Sequence, residues 1–248
     1  MMICYDKRSA EGEGQMAVYY ALCRASCDQF QQNGCKNTAE DQSGQEQTAN
    51  VSFQCSSADT YHHQRTAETA AAQRVLACLL YRCFGVSMHA HHILRPSGEK
   101  PYFEDLPYHF SITHSGGWVA CAVGREPCGI DVQADLPKSA PARLHAIARR
   151  WFSEQDYQRF LQGENFYSLW CENEAYLKFI GTGLRTPMRQ LEKKNGCVCV
   201  PNQVRGVLHR CRTPVSSLHL CLCLPLQVQG FYVNLPRDAA TQTQRISL

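Results

Sequence analysis

The sequence predicts an α+β protein assembled as two similar halves, here placed at residues 1–135 and 136–248. Three observations lead there. Segments of helical and strand period follow one another as helix, strands, hairpin, helices, strands, and the later helix-and-strand run loosely echoes the earlier one. The 248 residues, 44% of them hydrophobic, are enough for one large core or two modest ones.

In chain order, residues 31–60 are rich in Gln, Asn, Ser and Thr without any period, and read as a long polar loop or insertion. From Thr66, "TAETAAAQRVLACLLYRCFG" brings strong helix formers, an apolar set at Val75, Leu76, Leu79 and Leu80, and Gly85 as a stop. "HHILRPSGEKPYF" is expected to be a short strand and a Pro/Gly turn. "WVACAVG" and "CGIDVQ" are expected to pair as a hairpin turning around Arg125, Glu126 and Pro127, which would set Asp131 across from Cys121 with Gln133 on the same face. "PARLHAIARRWF" and "SEQDYQRFL" are helices, the second capped by Ser153 with Asp156 three residues on. In the helix "NFYSLWCENEAYLKFIG", Trp170, Glu174 and Lys178 recur every four residues and so share a face. "SSLHLCLCLPL" alternates Leu218, Leu220, Leu222 and Leu224 with other residues, as a half-buried strand does.

No run approaches the ~20 apolar residues of a membrane span, and "MMICYDKRSAEGEGQ" lacks the apolar core of a secretion signal, so a cytoplasmic protein without a membrane partner is expected. The 15 cysteines are odd in number and contain no Cys-x-x-Cys pair, which favours free thiols over a disulfide framework or a zinc site. Net charge is +3, but residues 1–60 carry a net of −4 and residues 141–212 a net of +6. A basic second half suits an acidic partner or a phosphate-bearing ligand, or is simply a solvated surface; nothing suggests nucleic acid.

Asp131 on a strand, Glu174 and Lys178 on a helix, and His114 on an earlier strand are the residue types needed to hold a magnesium ion and a pyrophosphate. Magnesium takes one or two carboxylates together with substrate phosphates, and His and Lys neutralise phosphate oxygens. Singly, each has a structural explanation: Glu174 and Lys178 as a helix ion pair, Asp131 as a solvated strand residue, His114 as a packing group. "HAHH" at 89–92 falls where a strand would send neighbours to opposite faces, "GTGLRT" lacks the third glycine of a dinucleotide loop, and there is no Gly-x-Ser-x-Gly elbow.

In order and spacing, "SITHSGGWV", "GIDVQ" and "WCENEAYLKFIGTGL" resemble the three blocks of the Sfp-type 4′-phosphopantetheinyl transferases; "GEKPYF" and "AAQR" resemble two further elements, and the likeness spans about residues 66–184. The resemblance implies a monomer whose halves, each a small antiparallel-rich sheet packed with helices, are related by a pseudo-twofold axis with coenzyme A between them. It implies transfer of the 4′-phosphopantetheine arm to a serine of an apo acyl or peptidyl carrier protein, with release of adenosine 3′,5′-bisphosphate, in fatty-acid, polyketide or nonribosomal-peptide synthesis. Carried over, Asp131 and Glu174 are magnesium ligands with Gln133 beside them. Glu174 or a metal-held water aids deprotonation, Lys178 stabilises the departing phosphate, and His114 and Thr113 meet the pyrophosphate and the 3′-phosphate. Lys100 and Arg74 hold the nucleotide end.

The chain departs from the family pattern at Gln133, where many members have an acid, at Asn173, where a lysine is usual, and before the first helix, where Arg65, His62 or His63 would replace a basic run. The alternative is a decayed protein that still binds coenzyme A or a carrier without transferring the arm; an unrelated phosphate-binding enzyme is a third reading.

Overall fold

The computed structural model describes residues 17–25, 57–136, 141–228, 230–234 and 245–247, with residues 17, 57–65, 230–234 and 245–247 as backbone only. The polar stretch therefore lies outside the described residues from 31 to 56, as do the side chains of His62, His63 and Arg65. Its last residues belong to helix α1, Ser57–Phe84, which begins well before the expected start at Thr66. No Gly or Pro interrupts residues 57–84, so nothing in the sequence stops the helix from extending backward.

The mixed helix and antiparallel-rich sheet class is as expected, with two five-stranded sheets. The first combines β1 (Ala17–Arg24), β4 (His109–Ser115), β5 (Trp118–Gly124), β11 (Gly230–Asn234) and β12 (Arg245–Ser247) in the order β12-β11-β1-β5-β4. The second combines β6 (Gly129–Ala134), β7 (Glu192–Lys194), β8 (Cys197–Cys199), β9 (Gly206–Cys211) and β10 (Leu218–Pro225) in the order β6-β10-β9-β8-β7. A two-stranded ribbon, β2 (Ile93–Leu94) with β3 (Tyr102–Phe103), flanks the first.

The expected hairpin of "WVACAVG" with "CGIDVQ" does not form. β5 is already flanked by β4 and β1, so it has no free edge, and β6 crosses to the second sheet to pair antiparallel with β10. Asp131 consequently lies opposite Cys221, not Cys121. Sheet membership also departs from a division at residue 135: β6 joins the later strands, while β11 returns to pair parallel with β1.

Side-chain alternation sorts the core into layers. Ala21, Cys23, Val119, Cys121 and Val123 face α1, whose Val75, Leu76, Leu79 and Leu80 are buried against them. The opposite residues of the same strands, Val18, Tyr20, Leu22, Ala120 and Ala122, meet Ile130, Val132, Leu218, Leu220, Leu222 and Leu224 of the second sheet. The far face of that sheet, through Cys221 and Cys223, packs on helix α4 (Phe166–Ile180). β10 is thus buried on both faces rather than half-buried, with its cysteines as apolar filler. Helices α2 (Pro141–Trp151) and α3 (Glu154–Leu161) close the end of α4, where Trp170 packs among Trp151, Phe152 and Phe166. Ser153 caps α3 through the Asp156 amide, as the sequence predicts, and Gly181 in the left-handed region ends α4.

Two details place the functional blocks. A Cβ on Gly129 would lie 2.0 Å from the Ala175 carbonyl oxygen and 2.4 Å from the Phe179 nitrogen, so only glycine lets α4 approach β6 this closely. At the tip of β4–β5, Gly116 and Gly117 take φ of 59° and 77°, the conformation that a two-residue hairpin turn requires.

Candidate active site at the junction of the two sheets

β4 and β6 are edge strands of different sheets, and hydroxyls join them. Ser111 Oγ, Thr113 Oγ1 and Ser115 Oγ accept the backbone N–H groups of Ile130, Val132 and Ala134 at 3.1, 3.3 and 3.1 Å. The alternating hydroxyls of "SITHS" therefore replace the carbonyl acceptors that an ordinary neighbouring strand would offer to the edge of β6.

Asp131 sits on this seam, 2% exposed. Its Oδ1 accepts from Thr113 Oγ1 at 2.8 Å and from Lys178 Nζ at 2.5 Å, and its Oδ2 accepts from the Gln133 amide at 2.9 Å. Cys171 Sγ donates to its backbone oxygen at 2.9 Å. A buried carboxylate is tolerated only when paired and hydrogen-bonded, and here three side chains supply that. Glu174, half-buried four residues before Lys178, has its carboxyl pushed up to about 7, first by burial and then by the negative charge of Asp131, with Lys178 pulling the other way.

The remaining expected residues are more scattered. His114 Nδ1 lies 2.8 Å from Glu68 Oε2. Thr113, expected at the 3′-phosphate, is buried with its hydroxyl engaged by Asp131 and the Val132 amide, so its place in this structure is behind Asp131. Lys100 Nζ donates to the Cys128 carbonyl at 2.5 Å, and burial pulls its ammonium below the ordinary lysine value. Arg74 is exposed on α1. Asn173 is fully buried, and neither its Oδ1 nor its Nδ2 has a partner among the described residues. The side chain at 173, where the family pattern has a lysine, thus points into the interior. "HAHH" forms a 3₁₀ turn at Met88–Ala90 rather than a strand, and His91 pairs with Asp105 at 2.8 Å.

Sequence reasoning missed Glu68. It lies on the α1 face that carries Ala71, Ala72, Val75 and Leu76, and a carboxylate on an apolar stripe was the readable signal. It also missed an ionic cluster behind α4, in which Glu172 meets Arg159, Lys193 and Arg210, with Asp156 and Glu164 alongside. Burial alone would raise the Glu172 carboxyl, but Lys193, Arg210 and Arg159 outweigh it and hold it down to about 2.

The donor set fits magnesium. Two carboxylates close enough for one to raise the other would gain from a shared cation, and oxygen donors of this kind suit a hard divalent ion. Asp131 and Glu174 would hold it, with Gln133 adjacent. Among the described residues no three His, Cys, Asp or Glu side chains cluster as a metal centre, so other ligands would come from substrate and solvent.

Comparison with known proteins places part of the chain beside one family. Residues 127–218, which carry Asp131, Glu174 and Lys178, match the model of the 4′-phosphopantetheinyl transferase superfamily. The chain is 42% identical over 96 residues to the 4′-phosphopantetheinyl transferase Sfp of Bacillus subtilis (strain 168), which covers 36% of this chain and 41% of that protein. It is 34% identical over 148 residues to the 4′-phosphopantetheinyl transferase gsp of Aneurinibacillus migulanus, covering 51% of this chain and 60% of that one. With psf-1 of Bacillus pumilus it shares 38% over 92 residues, 34% of this chain and 37% of the relative. The resemblance to the Sfp-type transferases read from the three blocks is borne out over these segments. The matched segment spans about two fifths of the length of the first of these relatives. No described helix is long and apolar enough to cross a membrane.

Proposed function

We propose that the protein is a magnesium-dependent 4′-phosphopantetheinyl transferase that moves the arm of coenzyme A onto a serine of an apo acyl or peptidyl carrier protein and releases adenosine 3′,5′-bisphosphate. The observation that carries the reading is the meeting of two separate sequence blocks at Asp131 of β6 and Lys178 of α4, 2.5 Å apart, with Glu174 one turn before Lys178 on the same helix. Bound magnesium would neutralise pyrophosphate charge.

In this reading the serine oxygen attacks the phosphorus that bears the pantetheine. The bond from that phosphorus to the bridging oxygen breaks, and its electron pair leaves with adenosine 3′,5′-bisphosphate. The serine proton passes to Glu174 or to a water it holds, a carboxylate oxygen serving as the general base. Thr113 and Gln133 fix the Asp131 carboxylate from behind, while Lys178, held against Asp131, is placed to follow the charge that develops on the departing phosphate. His114 meets the pyrophosphate; Lys100 and Arg74 face the nucleotide end. The basic second half suits docking of an acidic helix of the carrier. The protein acts as a cytoplasmic monomer, its halves related by a pseudo-twofold axis.

The test is mass spectrometry of an apo carrier protein incubated with the protein and coenzyme A, with and without magnesium. The expected result is a magnesium-dependent gain of about 340 Da on the carrier, the size of one phosphopantetheine modification. Asp131→Ala and Glu174→Ala are expected to lose that gain while keeping native circular dichroism; full activity in both would overturn the assignment. Coenzyme A binding indifferent to magnesium, with no gain on several carriers, would instead establish the non-catalytic alternative, which Gln133 at the usual acidic position favours.

A further inference from the structure

Glu68 is a buried carboxylate beside the site, and the transfer chemistry above gives it no task. It is 4% exposed, on α1, a helix remote in sequence from Asp131 and Glu174. Its two oxygens diverge. Oε2 lies 2.8 Å from His114 Nδ1, and Oε1 accepts the Gly117 N–H at 2.8 Å. A carboxylate buried without partners is costly, so a sequence that keeps one on an apolar helix face keeps it for what it holds.

An ionised carboxylate only accepts hydrogen bonds, so the imidazole nitrogen facing Glu68 carries the hydrogen. That fixes the ring plane and leaves Nε2, on the opposite side of the ring, as the nitrogen available to a ligand; the His114 side chain is 31% exposed. The second contact ties the same carboxylate to Gly117, three residues beyond the strand residue it orients, so one side chain holds both the ring and the turn.

We propose that Glu68 is a positioning residue for His114: its charge keeps the hydrogen on Nδ1 and aims Nε2–H at the pyrophosphate of coenzyme A. This rests on the reading in which His114 meets that pyrophosphate. An imidazolium bracketed by two anions holds a hydrogen on each nitrogen and bonds to both, and charge-assisted bonds of this kind are the stronger class. The arrangement repeats, with a phosphate in place of a metal, the device by which a carboxylate orients a ligating histidine.

Glu68→Gln tests it with little change of shape. The glutamine oxygen still accepts from Gly117, but its amide N–H now faces His114 Nδ1, which must then act as acceptor. The expected result is a KM for coenzyme A raised roughly tenfold or more, the loss of one charge-assisted hydrogen bond, with kcat changed less. In a His114→Ala background the same substitution is expected to add almost nothing. Long-range ¹H–¹⁵N NMR of the free protein is expected to show His114 protonated at Nδ1, and unprotonated there in the Glu68→Gln variant. An equal loss with and without His114, or an unchanged His114 spectrum, would overturn the proposal and leave Glu68 a purely structural clamp on the turn. If the unaltered protein modified no carrier, the transferase reading would fall and with it the pyrophosphate target, while the NMR comparison would still decide whether Glu68 sets the proton on His114.

Discussion

Glu174→Gln is expected to remove a pH dependence of stability that the candidate site imposes on the protein. The Glu174 carboxyl is raised from 4.5 to about 7 in the folded protein, by burial and by Asp131. Between those values the folded state binds a proton that the unfolded state has released, so stability falls as pH rises through the window and levels off above about 7. The shift corresponds to about 3 kcal/mol, or about 2–3 kcal/mol after allowing for the partial exposure of the side chain. Urea unfolding in the presence of a chelator, followed by tryptophan fluorescence from pH 5 to 8, reads it directly. The unaltered protein should lose stability with rising pH; Glu174→Gln, which has no charge to bury, should stay nearly level and be the more stable of the two at pH 8. Magnesium should restore stability to the unaltered protein at pH 8 and do far less for the variant, since binding to the folded state alone stabilises it by mass action. Parallel pH profiles for the two proteins would refute the reasoning, because they would mean that Glu174 and Asp131 do not share a desolvated site.

Three further outcomes follow from the packing around that site. Glu172, held down to about 2 by its cationic partners, should contribute stability that is complete above 4.5 and lost as the pH falls toward 2; Glu172→Gln should flatten the acid limb of a denaturation series and cost about 3 kcal/mol near neutrality by leaving cations unpaired. Gly129→Ala should lower the thermal midpoint by several degrees, since a Cβ 2.0 Å from the Ala175 oxygen forces α4 away from β6 at a cost of about 1–3 kcal/mol, and calorimetry checks it. Asn173→Leu, which keeps the branching at Cγ while removing two buried polar atoms without partners among the described residues, should raise the midpoint, by about 1 kcal/mol in stability.

The helices were legible because their signals are local. Gly85 and Gly181 as stops, the Ser153 cap and the apolar period of α1 each depend on residues within a turn or two of one another. Strand partners were not legible, because pairing is decided by which edges are free. "WVACAVG" and "CGIDVQ" look like a hairpin until β1, more than ninety residues earlier in the chain, takes the edge that β6 would need. A shorter-range signal was present but unused: Asn195–Gly196, both at positive φ, marks the β7–β8 turn as a type familiar from two-residue hairpins. Of the candidate site, Asp131, Glu174 and Lys178 were recoverable from motif spacing. The task of Thr113 was not, since a threonine that reaches a phosphate and one that buttresses an aspartate look alike in sequence.

The period of two in "HFSITHS" explains why one short strand can serve both sides of the site. Ser111, Thr113 and Ser115 point one way, toward the edge of β6, where they take up three backbone N–H groups and, through Thr113, the carboxylate of Asp131. Phe110 and Ile112 point the other way into the α1 core, and His114 follows them on that face to reach Glu68. Shifting this strand by one residue would turn the hydroxyls into the apolar layer and put Phe110 and Ile112 against N–H groups they cannot satisfy, so the register is fixed by chemistry on both faces at once. The junction between the sheets therefore also sets Asp131 and His114 relative to one another. Asp131 is anchored on the seam and His114 on the helix behind it, and any substitution that lengthens a hydroxyl of β4 should loosen both together.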